Sequence, residues 1–351
     1  MNNKGNILDA VDKLFKTKTD HYIFVYTPPK VGSTTLVTSL RISLGRKFNI
    51  LHIHDEVMMN VLTGINNVKI NDIIKHLSSI GKNVYVIDVY RTPIERKISG
   101  FFEKIAQHHF NNTEENINKY SVGRVIDRFN KLFPHLENGD HYLDIYNIES
   151  PVPFDFNKKY TLQEIDNIKY IKLRLCDSSL WGELLSTIFK TKVVIIDEYT
   201  TKKKKIGNLY ATFLKEYKLP TIFLESVKDC KYFNFYYSEE ERNKYLTKWE
   251  TNVGADVIPY TGDQYGFYMN LCLENQYMND VQQYHYTDNM CSCKGCDEKR
   301  AKIFISAKKG VKTFPRIVHE NIKKRIIYVK KKNKFKPNKF KPNQFKIVNF
   351  T

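Results

Sequence analysis

The sequence contains no run of about 18 apolar residues, so no membrane-spanning helix is expected. Its first residues, Met1-Asn2-Asn3-Lys4-Gly5-Asn6, lack the apolar core of a signal peptide, which predicts a cytoplasmic protein. Acidic residues are in deficit: 38 Asp and Glu stand against 56 Lys and Arg, a formal net charge of +18. That imbalance favours anionic partners, among them nucleic acid, acidic or sulfated glycans, nucleotide phosphates and membrane surfaces, without choosing between them. Cysteine is sparse as well, with 6 in 351 residues. Cys176, Cys230 and Cys272 are scattered and only Cys291, Cys293 and Cys296 cluster, which excludes a secreted disulfide framework. The cluster is compact enough to place three thiolates around a structural zinc, with His285 or Cys272 as the fourth ligand; the alternative is a reduced surface loop.

What is present is enough apolar residue, 42%, to build a core. Ile7 to Phe15 has helical spacing. Tyr22-Ile23-Phe24-Val25-Tyr26 reads as a buried strand, and Leu36, Leu40 and Leu44 mark a helix after it. Ile50-Leu51-His52-Ile53 is a second strand, Ile70 to Ile80 a helix closed by Gly81, and Asn83 to Tyr90 a third strand followed by a helix over Ile94 to Ile105. This alternation predicts a three-layer α/β fold, a parallel sheet flanked by helices. Lys119 to Phe133 is expected to be helical, and Gly139 to Tyr170 to hold an irregular or antiparallel insertion. Lys192-Val193-Val194-Ile195-Ile196-Asp197 reads as a further strand, with a helix over Leu209 to Tyr217. Ser238-Glu239-Glu240-Glu241 is a capping box that opens a helix reaching Trp249. From residue 331 onward Asn-Lys-Phe-Lys-Pro repeats, a basic tail too poor in apolar surface to fold alone.

The most informative passage joins the first strand to the first helix: Thr27-Pro28-Pro29-Lys30-Val31-Gly32-Ser33-Thr34-Thr35-Leu36. Gly32 lets backbone approach an anion, the amides opening the helix point at it, Lys30 adds a charge, and Ser33, Thr34 and Thr35 add hydroxyls. The segment is expected to be a phosphate-binding loop. It is not the nucleoside-triphosphatase loop, in which Gly-Lys-Ser/Thr closes the motif. The order Pro-Lys-x-Gly-Ser-Thr-Thr instead resembles the 5′-phosphosulfate loop of the sulfotransferase superfamily. That resemblance implies 3′-phosphoadenosine 5′-phosphosulfate as cofactor, 3′-phosphoadenosine 5′-phosphate as product, and no catalytic metal. The family places an Arg at a later strand end, a Pro two residues on, a second Arg, and a Ser eight residues after the first. Arg91, Pro93, Arg96 and Ser99 fit that pattern, so Arg91 and Ser99 are expected to hold the 3′-phosphate, and Lys30 to Thr35, Val31 included, the 5′-phosphosulfate.

His52-Ile53-His54-Asp55-Glu56 ends the second strand, where ligands of such sheets collect. It is similar to the His-x-His segment of glycan 2-O-sulfotransferases, in which a His is the general base. His54 is the first choice for that role, then His52; Glu56 is the fallback, since other glycan sulfotransferases use a Glu. The residue-level alternative is a buried His52 and a solvated His54. Arg242 to Trp249 resembles a helix of bacterial capsular polysaccharide synthesis proteins. The expected organisation is a sulfotransferase-like domain over 1–290, a Cys-containing extension over 291–330 and the tail over 331–351. The expected activity moves a sulfuryl group to a hydroxyl of a carbohydrate acceptor. Two rivals remain open at this point: a non-catalytic protein that binds nucleic acid or polyanionic glycan through its basic surface and tail, and a phosphotransferase with Asp88 and Asp197 as magnesium ligands.

Overall fold

The computed structural model describes residues 3–15, 19–103, 105–110, 113–133, 139–196, 205–263 and 265. They divide into two units, one formed by 1–104 and 118–261, the other by 105–117 and the chain from 262 onward. The second unit's described part includes a π-helical turn at Ile105–His109 and a short helix at Glu114–Ile117. Everything below concerns the first unit. Asp197, Cys272, His285, Cys291, Cys293, Cys296 and the basic tail lie outside the described residues.

The first unit has a mixed α/β fold around a mostly parallel sheet. The strands are β1 (His21–Tyr26), β2 (Asn49–Ile53), β3 (Asn83–Tyr90), β4 (Thr161–Ile165) and β5 (Ile168–Arg174), in the order β2-β1-β3-β5-β4. β1 pairs in parallel with β2 and β3, and β3 with β5; only β4 is antiparallel, to β5. Helix α1 is Asn3–Leu14, and α2 (Ser33–Leu44) joins β1 to β2. Helices α3 (Glu56–Thr63) and α4 (Ile70–Ser79) join β2 to β3, and α5 (Pro93–Glu103) follows β3. These elements agree with the apolar periodicity of the sequence.

One sheet face presents Ile23, Val25, Ile87, Val89, Ile171 and Leu173 to Leu36, Val37 and Leu40 of α2 and to Trp181 and Leu185, which lie on a later helix at Trp181–Phe189. On the opposite face Phe15, just after α1, meets Tyr22 and Phe24 edge-on, and α4 lies against β3 and β5. Helices thus flank both faces. Among the described residues no helix is long and apolar enough to cross a membrane.

One expectation is met in part and one is corrected. The stretch expected to hold an irregular or antiparallel insertion contains β4, antiparallel in the β4–β5 hairpin, but it leads into β5, a strand inside the sheet and parallel to β3. The hairpin turn, Asp166-Asn167, has positive φ at both residues (50° and 61°), the geometry that matches a two-residue hairpin and that Asp and Asn tolerate. Residues 192–196 are not a strand of the sheet. Val193 and Ile195 cover the α2 face of the core, while Val194 N donates to Ser43 Oγ at 3.0 Å and Ile196 N to Ser39 Oγ at 2.9 Å. Serine hydroxyls on α2 take amides that a neighbouring strand would otherwise receive.

The capping box forms as expected: Ser238 and Glu241 exchange backbone hydrogen bonds at the start of the helix Glu239–Glu250. Glu241 has a second task. It receives Nη1 and Nη2 of the buried Arg174 at 2.7 and 2.9 Å, fastening that helix to the end of β5. Burial raises the Glu241 carboxyl, but Arg174 and the Ser238 amide outweigh this and bring it down to about 2. A carboxylate lowered on folding stabilises the fold fully above its unfolded value near 4.5 and loses that contribution as pH falls toward 2. Glu241→Gln should therefore flatten the loss of stability between pH 4.5 and 2 in urea titrations, and an unchanged slope would contradict this account.

Candidate functional site

The strand order reverses at β1, which has β2 on one side and β3 on the other. The connections leaving β1 and β3 diverge there, and in open α/β sheets such a switch point, at the carboxyl ends of the strands, is where ligands collect. The two segments singled out in the sequence, Thr27 to Thr35 and Arg91 to Ser99, are the connections that leave those two strands.

The loop after β1 turns through two left-handed residues, Lys30 at φ 68° and Gly32 at φ 87°. Gly32 is also hemmed in: a Cβ there would sit 2.7 Å from Leu175 Cδ1 and 3.3 Å from the Trp181 ring. The left-handed φ favours glycine, and a larger residue would also have to displace the Leu175 side chain. Gly32 is the N-cap of α2 and provides no side-chain cap, and Leu36 N donates to Gly32 O. The amides of Ser33, Thr34 and Thr35 precede that bond at the positive end of a 12-residue helix. Val31 and Ser33 are buried and Thr34 is exposed.

Arg91, just past β3, donates from Nη1 to Lys30 O at 2.9 Å. This bond joins the two segments across 61 residues and fixes the carbonyl of a left-handed, strained lysine. Arg91 is half-buried, and desolvation lowers its pKa. Glu95 accepts from Tyr245 Oη at 2.6 Å and Glu103 from Lys30 Nζ at 3.0 Å, so both carboxylates near Arg91 in sequence have other partners. Arg96 Nη1 donates to Gly139 O at 2.8 Å and braces α5. Ser99 is buried on the second turn of α5.

His54 follows β2. Its Nδ1 lies 2.6 Å from Thr27 O, at the root of the β1 loop. A carbonyl only accepts, so Nδ1 carries the hydrogen in the neutral ring and Nε2 keeps its lone pair. His52, within the strand, has a buried Nε2 with no partner, and burial followed by His54 and Arg41 pushes it down to about 4. Glu56 spends its carboxylate on Ile70 N, at 3.2 and 3.1 Å, and so caps α4; burial raises its pKa. Of the three candidate bases, His54 is the one tied directly to the loop.

Two features of the site carry no sequence motif. The first is a buried ion triad. Lys172 on β5 faces Asp88 directly across the β3–β5 ladder, with Nζ 2.5 Å from Asp88 Oδ2, and it also pairs with Asp140; all three side chains have 0–1% exposure. Asp88 further accepts Tyr142 N at 3.0 Å and Val89 N at 2.7 Å. Burial would raise the Asp88 carboxyl, but Lys172, His141 and the Thr27 hydroxyl hold it below the usual range, whereas burial prevails at Asp140 and holds it above. The second is His141. Asp140 caps the short helix His141–Asp144 by accepting Leu143 N at 2.9 Å, and His141 Nε2 lies 2.7 Å from His54 O, to which it must donate. The triad thereby positions the residue that holds the His54 backbone. Only pairing through space reveals this; the one sequence clue was charge inside an apolar strand.

No family model matches this chain, and comparisons with curated proteins and with solved structures give no match.

The Gly32 geometry is testable. Gly32→Ala should cost about 1–2 kcal/mol in left-handed strain alone, before Leu175 is displaced, and should lower the thermal midpoint by several degrees. An unchanged midpoint would show that the loop relaxes freely.

Proposed function

We propose that this protein is a sulfotransferase that uses 3′-phosphoadenosine 5′-phosphosulfate and transfers its sulfuryl group to a hydroxyl, on a carbohydrate acceptor. The observation that carries the reading is the Arg91–Lys30 hydrogen bond, which brings both motifs of the sequence resemblance to one switch point. The residues fit an anionic ligand with two separate phosphates. The amides of Ser33, Thr34 and Thr35, opening a long helix behind a glycine, suit one phosphate. The Arg91 guanidinium, with donors beyond the one given to Lys30 O, and the Ser99 hydroxyl suit the other.

When bound, the cofactor supplies the sulfuryl group, whose sulfur exchanges the bridging phosphate oxygen for the acceptor oxygen. His54 Nε2 takes the acceptor's hydroxyl proton as that bond forms. Thr27 O fixes the tautomer that makes this possible. Lys30 neutralises charge on the departing 5′-phosphate. The products are a sulfate ester and 3′-phosphoadenosine 5′-phosphate. The phosphotransferase alternative loses support, because Asp88, one of its two magnesium ligands, is committed to Lys172 and to two backbone amides.

Calorimetric titration with 3′-phosphoadenosine 5′-phosphate, beside ATP and without magnesium, tests the reading. The bisphosphate should bind in preference to ATP. Arg91→Ala should weaken it by a factor of ten or more, the scale of one charge-assisted contact of about 1.5–3 kcal/mol, whereas His54→Asn, which keeps an N–H donor for Thr27 O and removes the base, should leave binding intact and abolish transfer. Failure of the bisphosphate to bind would remove the sulfotransferase reading.

A further inference from the structure

Lys30 does not extend into open solvent. Its side chain lies along α5, where a Cβ added to Gly100 would be 3.9 Å from Lys30 Cγ, and its ammonium ends 3.0 Å from Glu103 Oε1, one turn further on. Its carbonyl is held at the same time by Arg91. Backbone and ammonium of one left-handed residue are thus both restrained, the first by a cation and the second by an anion. The side-chain exposures, 18% for Lys30 and 39% for Glu103, leave the pair open to water and therefore exchangeable.

We propose that Glu103 is a positioning residue that holds the Lys30 ammonium in competition with the 5′-anion of the ligand. The inference rests on the cofactor reading above and adds a residue outside its motifs. A carboxylate at 3.0 Å occupies the lysine that the 5′-phosphate needs, so binding exchanges one anion for another on the same ammonium. Arg91 and His54 keep the backbone of the loop in place during that exchange, and only the lysine side chain moves. Glycine at position 100 puts no side chain of its own beside Lys30 Cγ. The lysine therefore has two berths, and the carboxylate of Glu103 sets the affinity of the second.

The test is a double-mutant cycle read by calorimetry, with 3′-phosphoadenosine 5′-phosphate and, as control, adenosine 3′-phosphate, which lacks the 5′-anion. Glu103→Gln keeps the shape and removes the charge. It should tighten the bisphosphate about threefold, the scale of a partly exposed ion pair, and leave adenosine 3′-phosphate unchanged. In a Lys30→Ala background the same substitution should have no effect. A loss of packing at position 103 would alter both ligands alike, and that outcome would overturn the proposal. So would equal bisphosphate affinity in the wild type and Glu103→Gln, which would leave the cofactor reading standing. Absence of bisphosphate binding to every variant would overturn both.

Discussion

A lysine sealed from solvent between two aspartates organises the end of the sheet on which the site is built. Lys172, Asp88 and Asp140 come from β5, β3 and the cap of the His141 helix, so one ammonium fixes three segments that are far apart in sequence. Such a triad adds little net stability, because stripping water from three charges offsets most of the attraction. Its asymmetry matters more. Removing one member leaves a buried charge without compensation, at a cost of about 3–5 kcal/mol, so alternative arrangements of these strand ends are heavily penalised. Tyr236 Oη adds a further donor to Asp140 at 2.7 Å and draws the C-terminal helices into the same network.

From that anchor the geometry of the site follows in short steps. Asp140 starts the helix, His141 at its first position holds the His54 carbonyl, and the His54 ring holds Thr27 O at the root of the β1 loop. Arg91 holds the same loop from the β3 side through Lys30 O. Leu175 and Trp181 close it from behind, against a glycine where a side chain would have to displace Leu175. The loop is therefore held in place by its own fold, and for the ligand proposed above this would reduce the ordering cost of binding.

Much of this was legible in the sequence where apolar pattern and local chemistry agree. β1, β2 and β3 are compact β-branched and aromatic runs, and the helices between them carry the expected spacing, so element types and order were readable to within a few residues. β5 was missed because Lys172 and Arg174 make it look half solvated; both are buried, the first by Asp88 and Asp140, the second by Asp177 and Glu241. The Asp166-Asn167 turn was the available clue. The segment at 192–196 was misread for the converse reason: its apolar residues cover the core as a strand's would, but serines on α2 satisfy its amides. At the site, the loop and Arg91 could be named from spacing. Glu103 as the partner of Lys30 and His141 as the support of His54 could not, since contacts 73 and 87 residues apart leave no local pattern.

The most direct test of the central claim is a crystal structure of the protein soaked with 3′-phosphoadenosine 5′-phosphate. The account predicts the 5′-phosphate on the amides that open α2, the 3′-phosphate on Arg91 and Ser99, and the Lys30 ammonium moved from Glu103 to the 5′-phosphate. A nucleotide bound elsewhere, or bound with its phosphates away from both segments, would contradict it.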